Sequence, residues 1–154
     1  MAAITLADII QSYDDEFNKK LEELEREAKE DLSFGDLDQK GTDYEIMKNV
    51  IATHKWADKQ SRQKQHVKRS QNSVTRIQAS LYDSCKREVL DVAMKGSKEI
   101  EGWVCRQPKY AKALSYLNDQ ECILEFMERT LDGLKSRGFA LRNIIENRKF
   151  FYEG

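Results

Sequence analysis

Proline and glycine are scarce: Pro108 stands alone, and seven glycines are spread over 154 residues. So few turn-formers and helix-breakers favour helix over sheet. Cysteine is sparse as well. Cys85, Cys105 and Cys122 are odd in number and never at CxxC spacing, so reduced thiols in a cytosolic compartment are the simplest account. No run approaches the ~20 apolar residues of a membrane span. The opening MAAITLADIIQSYDDE has no basic segment and turns acidic at once, unlike a secretory signal. The only histidines, His54 and His66, would lie about 120° apart around an ideal helix with no cysteine nearby in sequence, which makes no metal pair. There is no P-loop, GxGxxG or GxSxG, and the amino-terminal acids lack a partnering histidine or metal motif. Cys85 beside Lys86 and Arg87 reads as an ordinary thiol. No enzyme and no cofactor are predicted.

What is present is charge and periodicity. Hydrophobic residues make up 40% and charged residues 34%, with a mean hydropathy of -0.75, normal for long helices that expose much of their girth. The length is that of one domain. A net charge of -1 conceals polarity: Met1–Glu45 holds fourteen acids and five bases, the remainder thirteen acids and twenty-one bases.

Thr5 is a candidate N-cap for an amphipathic acidic helix from Leu6 to about Leu32, with apolar residues by threes and fours. It fits either a solvated helix packed on the domain or a negatively charged docking arm. Ser33–Gly41 is a breaker cluster, after which Thr42 or Asp43 can cap a second helical region reaching about Met94. One long helix or a helix pair would fit, with Ser70–Ser73 the weakest place. Gly96, Gly102 and Pro108 then mark an irregular connection or a short strand around Trp103–Cys105. From there a helical pattern runs to the C-terminus. Ile123, Met127, Thr130, Leu134, Leu141 and Ile144 form one row, and Leu124, Leu131, Gly138 and Ile145 a second beside it. A stripe this wide suits the last helix of a monomer core or self-association. Its length, near thirty residues, favours self-association through Ile123, Met127, Leu131, Leu134, Leu141, Ile144 and Ile145. Gly138 within it predicts a kink or a close helix contact. The expected class is all-α, with long amphipathic helices and a C-terminal coiled-coil-like oligomerisation helix. Its parts are an acidic helix over 1–32, a basic helical region over 42–95, a connector over 96–110 and the oligomerisation helix over 111–154.

One stretch rises above this background. Lys55, Lys59, Arg62, Lys64, Lys68, Arg69 and Arg76 are opposed only by Asp58, with Gln60, Gln63, Gln65, Gln71 and Asn72 between them. Apolar residues almost vanish from Ala57 to Ser73, so this face is not built for burial. Fixed cations and adaptable amides are what phosphate backbones want. A solvated helix face is the plainer alternative. Trp56 and Tyr82 are the only nearby aromatics for base stacking, and Trp56 suits a core position better.

Three segments resemble the UvsY family of T-even phage recombination mediators. LDGLKSRGFALRNI (Leu131–Ile144) is similar to its C-terminal signature, YEIMKNVIATHKW (Tyr44–Trp56) to its YE…NNV…KW segment, and LEELEREAKEDLSFGD (Leu21–Asp36) to its acidic amino end. On this resemblance Met1–Lys20 are an extension. The family's Leu-Lys-Ala-Arg-Leu motif for single-stranded DNA falls on IQASL, where Gln78 and Ser80 replace the bases. The grip is therefore assigned to Lys55, Lys59, Arg62, Lys64, Lys68, Arg69, Arg76, Lys86 and Arg87. The resemblance implies a homo-oligomeric ring, hexameric or heptameric, in the cytoplasm of an infected bacterium. Its partners would be single-stranded DNA, a RecA-like phage recombinase and the phage single-strand-binding protein, with no membrane. The acidic first helix would screen the basic face or dock the recombinase.

Overall fold

The computed structural model describes residues 6–88 and 96–152. Four helices follow one another, α1 (Leu6–Leu32), α2 (Gln39–Glu88), α3 (Ser97–Cys105) and α4 (Pro108–Tyr152), with no strand among the described residues. The all-α expectation holds. Thr5 and the expected helix end near Met94 lie outside the described residues.

Local chemistry explains the boundaries. Ser33 closes α1 by donating its backbone N–H to the Lys29 carbonyl at 3.2 Å and its hydroxyl to that of Glu30 at 2.7 Å. The cap of α2 is Asp38, not Thr42 or Asp43: its carboxylate accepts the Gly41 N–H at 2.6 Å, the N3 bond of an N-cap. Gly41 is required there, because a Cβ would lie 2.0 Å from the Asp36 carbonyl oxygen. Thr42 instead is buried, its hydroxyl bonded back to the Asp38 carbonyl at 2.7 Å. The Ser70–Ser73 stretch does not interrupt α2. The Ser70 and Thr75 hydroxyls bond to carbonyls one turn back, those of His66 at 3.0 Å and Gln71 at 3.1 Å, so they do not compete for the helical ladder.

The irregular connection or short strand expected around Trp103–Cys105 is instead a helix, α3, entered from an extended Gly96 and with Glu99 in its first turn. It ends where Arg106 and Gln107 bond to the Trp103 and Val104 carbonyls. Pro108 then opens α4, at the one helical position where a missing N–H costs nothing.

The chain divides into two compact units, and each draws on both long helices. Unit 1 is Met1–Gln60 with Phe126–Gly154, and unit 2 is Ser61–Glu125. In unit 1, α1 contributes Leu24 and Ala28, α2 Thr42, Glu45, Asn49, Ala52 and Trp56, and α4 Met127, Thr130, Leu131, Leu134, Arg137 and Leu141, all buried. Gly138 is the predicted close contact: a Cβ there would sit 3.1 Å from Asn49 Nδ2. In unit 2, Val67 and Val74 of α2 pack with Leu117 of α4 under Tyr110, Ala113 and Leu124. Gln63 and Gln120 are buried beside them, Gln63 Nε2 donating to Gln120 Oε1 at 3.0 Å and to its carbonyl at 2.9 Å.

Candidate nucleic-acid interface

The inward positions of α2 in unit 2 are Gln63, Val67, Ser70, Val74 and Cys85, all buried, with Ile77 and Leu81 half-buried between them. They step by threes and fours, the spacing of a helix–helix seam. The helix that carries the basic face therefore has an inner edge, filled largely by small and amide side chains rather than by hydrophobes. That edge orients everything else outward. Arg62, Lys64, Lys68, Arg69, Arg76, Lys86 and Arg87 are all exposed.

Arg62, Arg69 and Arg76 stand seven residues apart, in one line parallel to the seam, at intervals of about 10.5 Å. Gln65 and Asn72, both exposed, fall between them, and Lys64 and Lys68 run alongside. No Asp or Glu occurs from Lys59 to Tyr82. This arginine row was readable in the sequence, but only with a seven-residue repeat that the weak hydropathy of α2 did not suggest.

Lys55 and Lys59 are placed differently. Both belong to unit 1, where α1 supplies their counter-charges. Lys55 Nζ lies 3.0 Å from Glu27 Oε1 and 2.5 Å from Asp31 Oδ2, and Lys59 Nζ lies 3.0 Å from Glu27 Oε2. Burial alone would raise the Glu27 and Asp31 carboxyls, but the Lys55 bonds to both, the Lys59 bond to Glu27 and that of Trp56 to Asp31 outweigh it, leaving both below their usual range. Lys55, whose burial pulls the other way, is held above its ordinary value by the same two carboxylates. The acidic helix thus occupies the first two of the nine predicted cations.

Trp56 is fully buried, and its indole N–H donates to Asp31 at 2.8 Å, so it offers no stacking face. Tyr82 is half-buried, with Lys86 Nζ 4.7 Å from its ring centre. In IQASL, Ile77 and Leu81 turn toward the seam while Gln78 and Ser80 are exposed. The positions that fall on the bases of the family's motif are therefore outward in this chain, flanked by Arg76, Lys86 and Arg87.

The stripe expected to drive self-association is used within the single chain. Ile123, Met127, Leu131, Leu134 and Leu141 are buried, and Ile144 and Ile145 half-buried, because α4 packs that face inward. Among the described residues no group of three or more His, Cys, Asp or Glu could hold a metal ion, and His66 Nε2 is 2.9 Å from the Tyr116 hydroxyl. No helix among them is long and apolar enough to cross a membrane.

The sequence model of a family described as recombination, repair and ssDNA binding protein UvsY matches residues 27–153. The recombination protein uvsY of Enterobacteria phage T4 is 29% identical over 136 residues, covering 85% of this chain and 96% of that protein. Two crystal structures of the bacteriophage T4 recombination mediator protein UvsY have the same fold. Lattice type IV matches with a TM-score of 0.71 at 26% identity, covering 84% of this chain and 97% of that one. Lattice type II gives 0.71 at 27% identity, with coverages of 87% and 98%.

Proposed function

The chain belongs to the UvsY family of recombination, repair and ssDNA binding proteins, and from that membership we propose that it is a recombination mediator gripping single-stranded DNA along the outward face of α2. The observation that carries the grip is the row of Arg62, Arg69 and Arg76 with Lys64 and Lys68 beside it, exposed on one helix within a stretch, Lys59 to Tyr82, that holds no Asp or Glu. Guanidinium and ammonium groups at fixed intervals neutralise successive phosphates, and the interspersed amides adapt to the backbone between them. Sequence-independent binding follows, because nothing on this face is arranged to read base edges.

The mediator loads a RecA-like recombinase onto DNA coated by the phage single-strand-binding protein. To do so it holds the strand at several points while the coating protein loosens and the recombinase nucleates. One helix makes few contacts. A homo-oligomeric ring of six or seven copies repeats the row, and a strand already held by one copy meets the next at high effective concentration. The role calls for no chemistry of the mediator's own, and the setting is the cytoplasm of the infected host.

The test is fluorescence anisotropy of a labelled single-stranded oligonucleotide titrated at several salt concentrations. Replacing Arg62, Arg69 and Arg76 by Gln together should flatten the slope of log affinity against log salt by roughly 2, at about 0.7 per lost phosphate contact. An unchanged slope would place the grip elsewhere.

A further inference from the structure

The arginine row lacks one thing that suits a single strand beside its phosphates, a ring on which a base can lie. Trp56 is buried, and Tyr82 is half-buried with the Lys86 ammonium 4.7 Å from its ring centre. A third aromatic reaches the row from the other long helix. Tyr116 of α4 is 41% exposed, and its hydroxyl lies 2.9 Å from Nε2 of His66, 50 residues away in sequence. His66 stands four residues after Arg62 and three before Arg69, which makes it a surface neighbour of both. It is half-buried beside the seam residue Val67, so it fills the strip between the seam and the arginines. Tyr116 therefore crosses the seam onto the arginine side of α2. All of these residues except Trp56 belong to unit 2.

His66 and Tyr116 meet through their polar ends. Their ring centres are 6.0 Å apart and their planes 73° apart, so the two rings do not stack on each other. The contact holds the phenol by its hydroxyl, the one group of that side chain that needs a polar partner. Cations continue beyond it. Lys112 and Lys109 precede Tyr116 by four and seven residues, both exposed, and so share its side of α4. Asp119 is the one acid between Pro108 and Gln120. An aromatic ring thus stands between two sets of cations, one from each helix.

We propose that Tyr116 is a base-stacking platform for the strand held by the arginine row. The phosphates lie on Arg62 and Arg69, a base turns across the seam onto the Tyr116 ring, and Lys112 and Lys109 meet the phosphate that follows. His66 is a positioning residue that fixes the ring. The inference rests on the grip proposed above and adds the contact with bases that the row itself lacks. A ring face accepts any base, so binding stays sequence-tolerant.

Fluorescence anisotropy with two oligonucleotides of equal length tests it. One is an ordinary single strand; the other is abasic throughout, keeping the phosphates but offering nothing to stack. Tyr116→Leu should weaken binding of the ordinary strand roughly 5- to 150-fold, the worth of one stacked base. Its salt slope should not change, and the abasic strand should bind as it does to the parent. Tyr116→Phe keeps the ring and should stay close to the parent, while His66→Ala, which keeps the ring but releases it, should fall between the two. Ordinary-strand binding by Tyr116→Leu as tight as the parent's would overturn the platform and leave the grip standing. So would an equal loss on both strands, since the tyrosine would then only brace the seam. A salt slope unmoved by the arginine variant would remove the grip from this face, and the platform with it.

Discussion

The two units use one spacing and fill it with different chemistry. In unit 1 the seam of α2 holds a charge, an amide and a tryptophan: Glu45, Asn49 and Trp56, closed over by two other helices. In unit 2 the same helix presents Gln63, Val67, Ser70 and Val74, small or uncharged. The outer faces differ in the opposite sense. Unit 1 exposes Tyr44, Met47, Val50 and Ile51, while unit 2 exposes arginine and lysine. A single helix thus keeps one inward edge throughout and changes task along its length. Its outward face is apolar in unit 1 and cationic in unit 2.

The buried polar groups set how much each seam depends on its pairing. Arg137 is ion-paired with Glu45, donates to Asn49 Oδ1 at 3.1 Å and to the Ser33 carbonyl at 3.0 Å, and lies 4.8 Å from the Phe34 ring centre. Asn49 in turn donates to the Leu134 carbonyl at 3.1 Å. Removing one partner strands the other: Arg137→Ala leaves the Glu45 carboxylate, 3% exposed, without its counter-charge. The expected loss is about 3–5 kcal/mol in urea unfolding. Replacing both, Arg137→Met with Glu45→Leu, should recover much of it, since the pair's desolvation cost disappears too. A loss under about 1 kcal/mol for the single variant would mean the ion pair does not hold α2 and α4 together.

These magnitudes bear on what was legible in the sequence. The stripe of Ile123, Met127, Leu134 and Leu141 was visible because hydrophobes carry it, but periodicity alone cannot say whether such a face meets its own chain or another. The structure buries it in the monomer. Trp56 was legible as a core residue, but much of the inner edge of α2 was not, because Thr42, Glu45, Asn49, Gln63 and Ser70 hold it, each bonded across the seam, to a neighbouring loop or back along its own helix. Hydropathy scores such residues as surface. Asp38 was missed as a cap because Gly41 looked like a breaker, whereas it is the N3 residue whose N–H the cap receives. The basic row was read correctly as exposed, but its seven-residue alignment emerges only once the seam is known.

A smaller effect sharpens the contrast from the side of unit 2. Gln63→Leu leaves the buried Gln120 amide without its side-chain partner, at a cost of about 1–3 kcal/mol. Leucine at both positions removes donor and acceptor together and should be near neutral or stabilising. Urea unfolding of the two variants separates these outcomes. If the double variant is as unstable as the single one, the seam of unit 2 depends on amide geometry as strictly as unit 1 depends on its ion pair.

The smallest effect concerns the acidic clamp on Lys55 and Lys59. Glu27 and Asp31 have lowered pKa values in the fold, so their contribution is present above their unfolded values, near pH 4, and drains away as pH falls through the lowered ones. The raised Lys55 contributes below its unfolded value and loses its share only in strongly alkaline solution. Stability should therefore be flat through neutrality with a shallow acid limb, which Lys55→Met reduces, because partly exposed pairs are worth only about 0.2–1 kcal/mol each. The same clamp divides the predicted cations functionally. Lys55 and Lys59 already have carboxylate partners, so replacing both by Gln should leave the salt slope of DNA binding nearly unchanged, whereas the arginine row should move it by roughly 2. A drop of about 1.4 for the lysine pair would instead mean that α1 gives up both cations when DNA binds, making the acidic helix a competitor for the phosphates rather than a permanent brace.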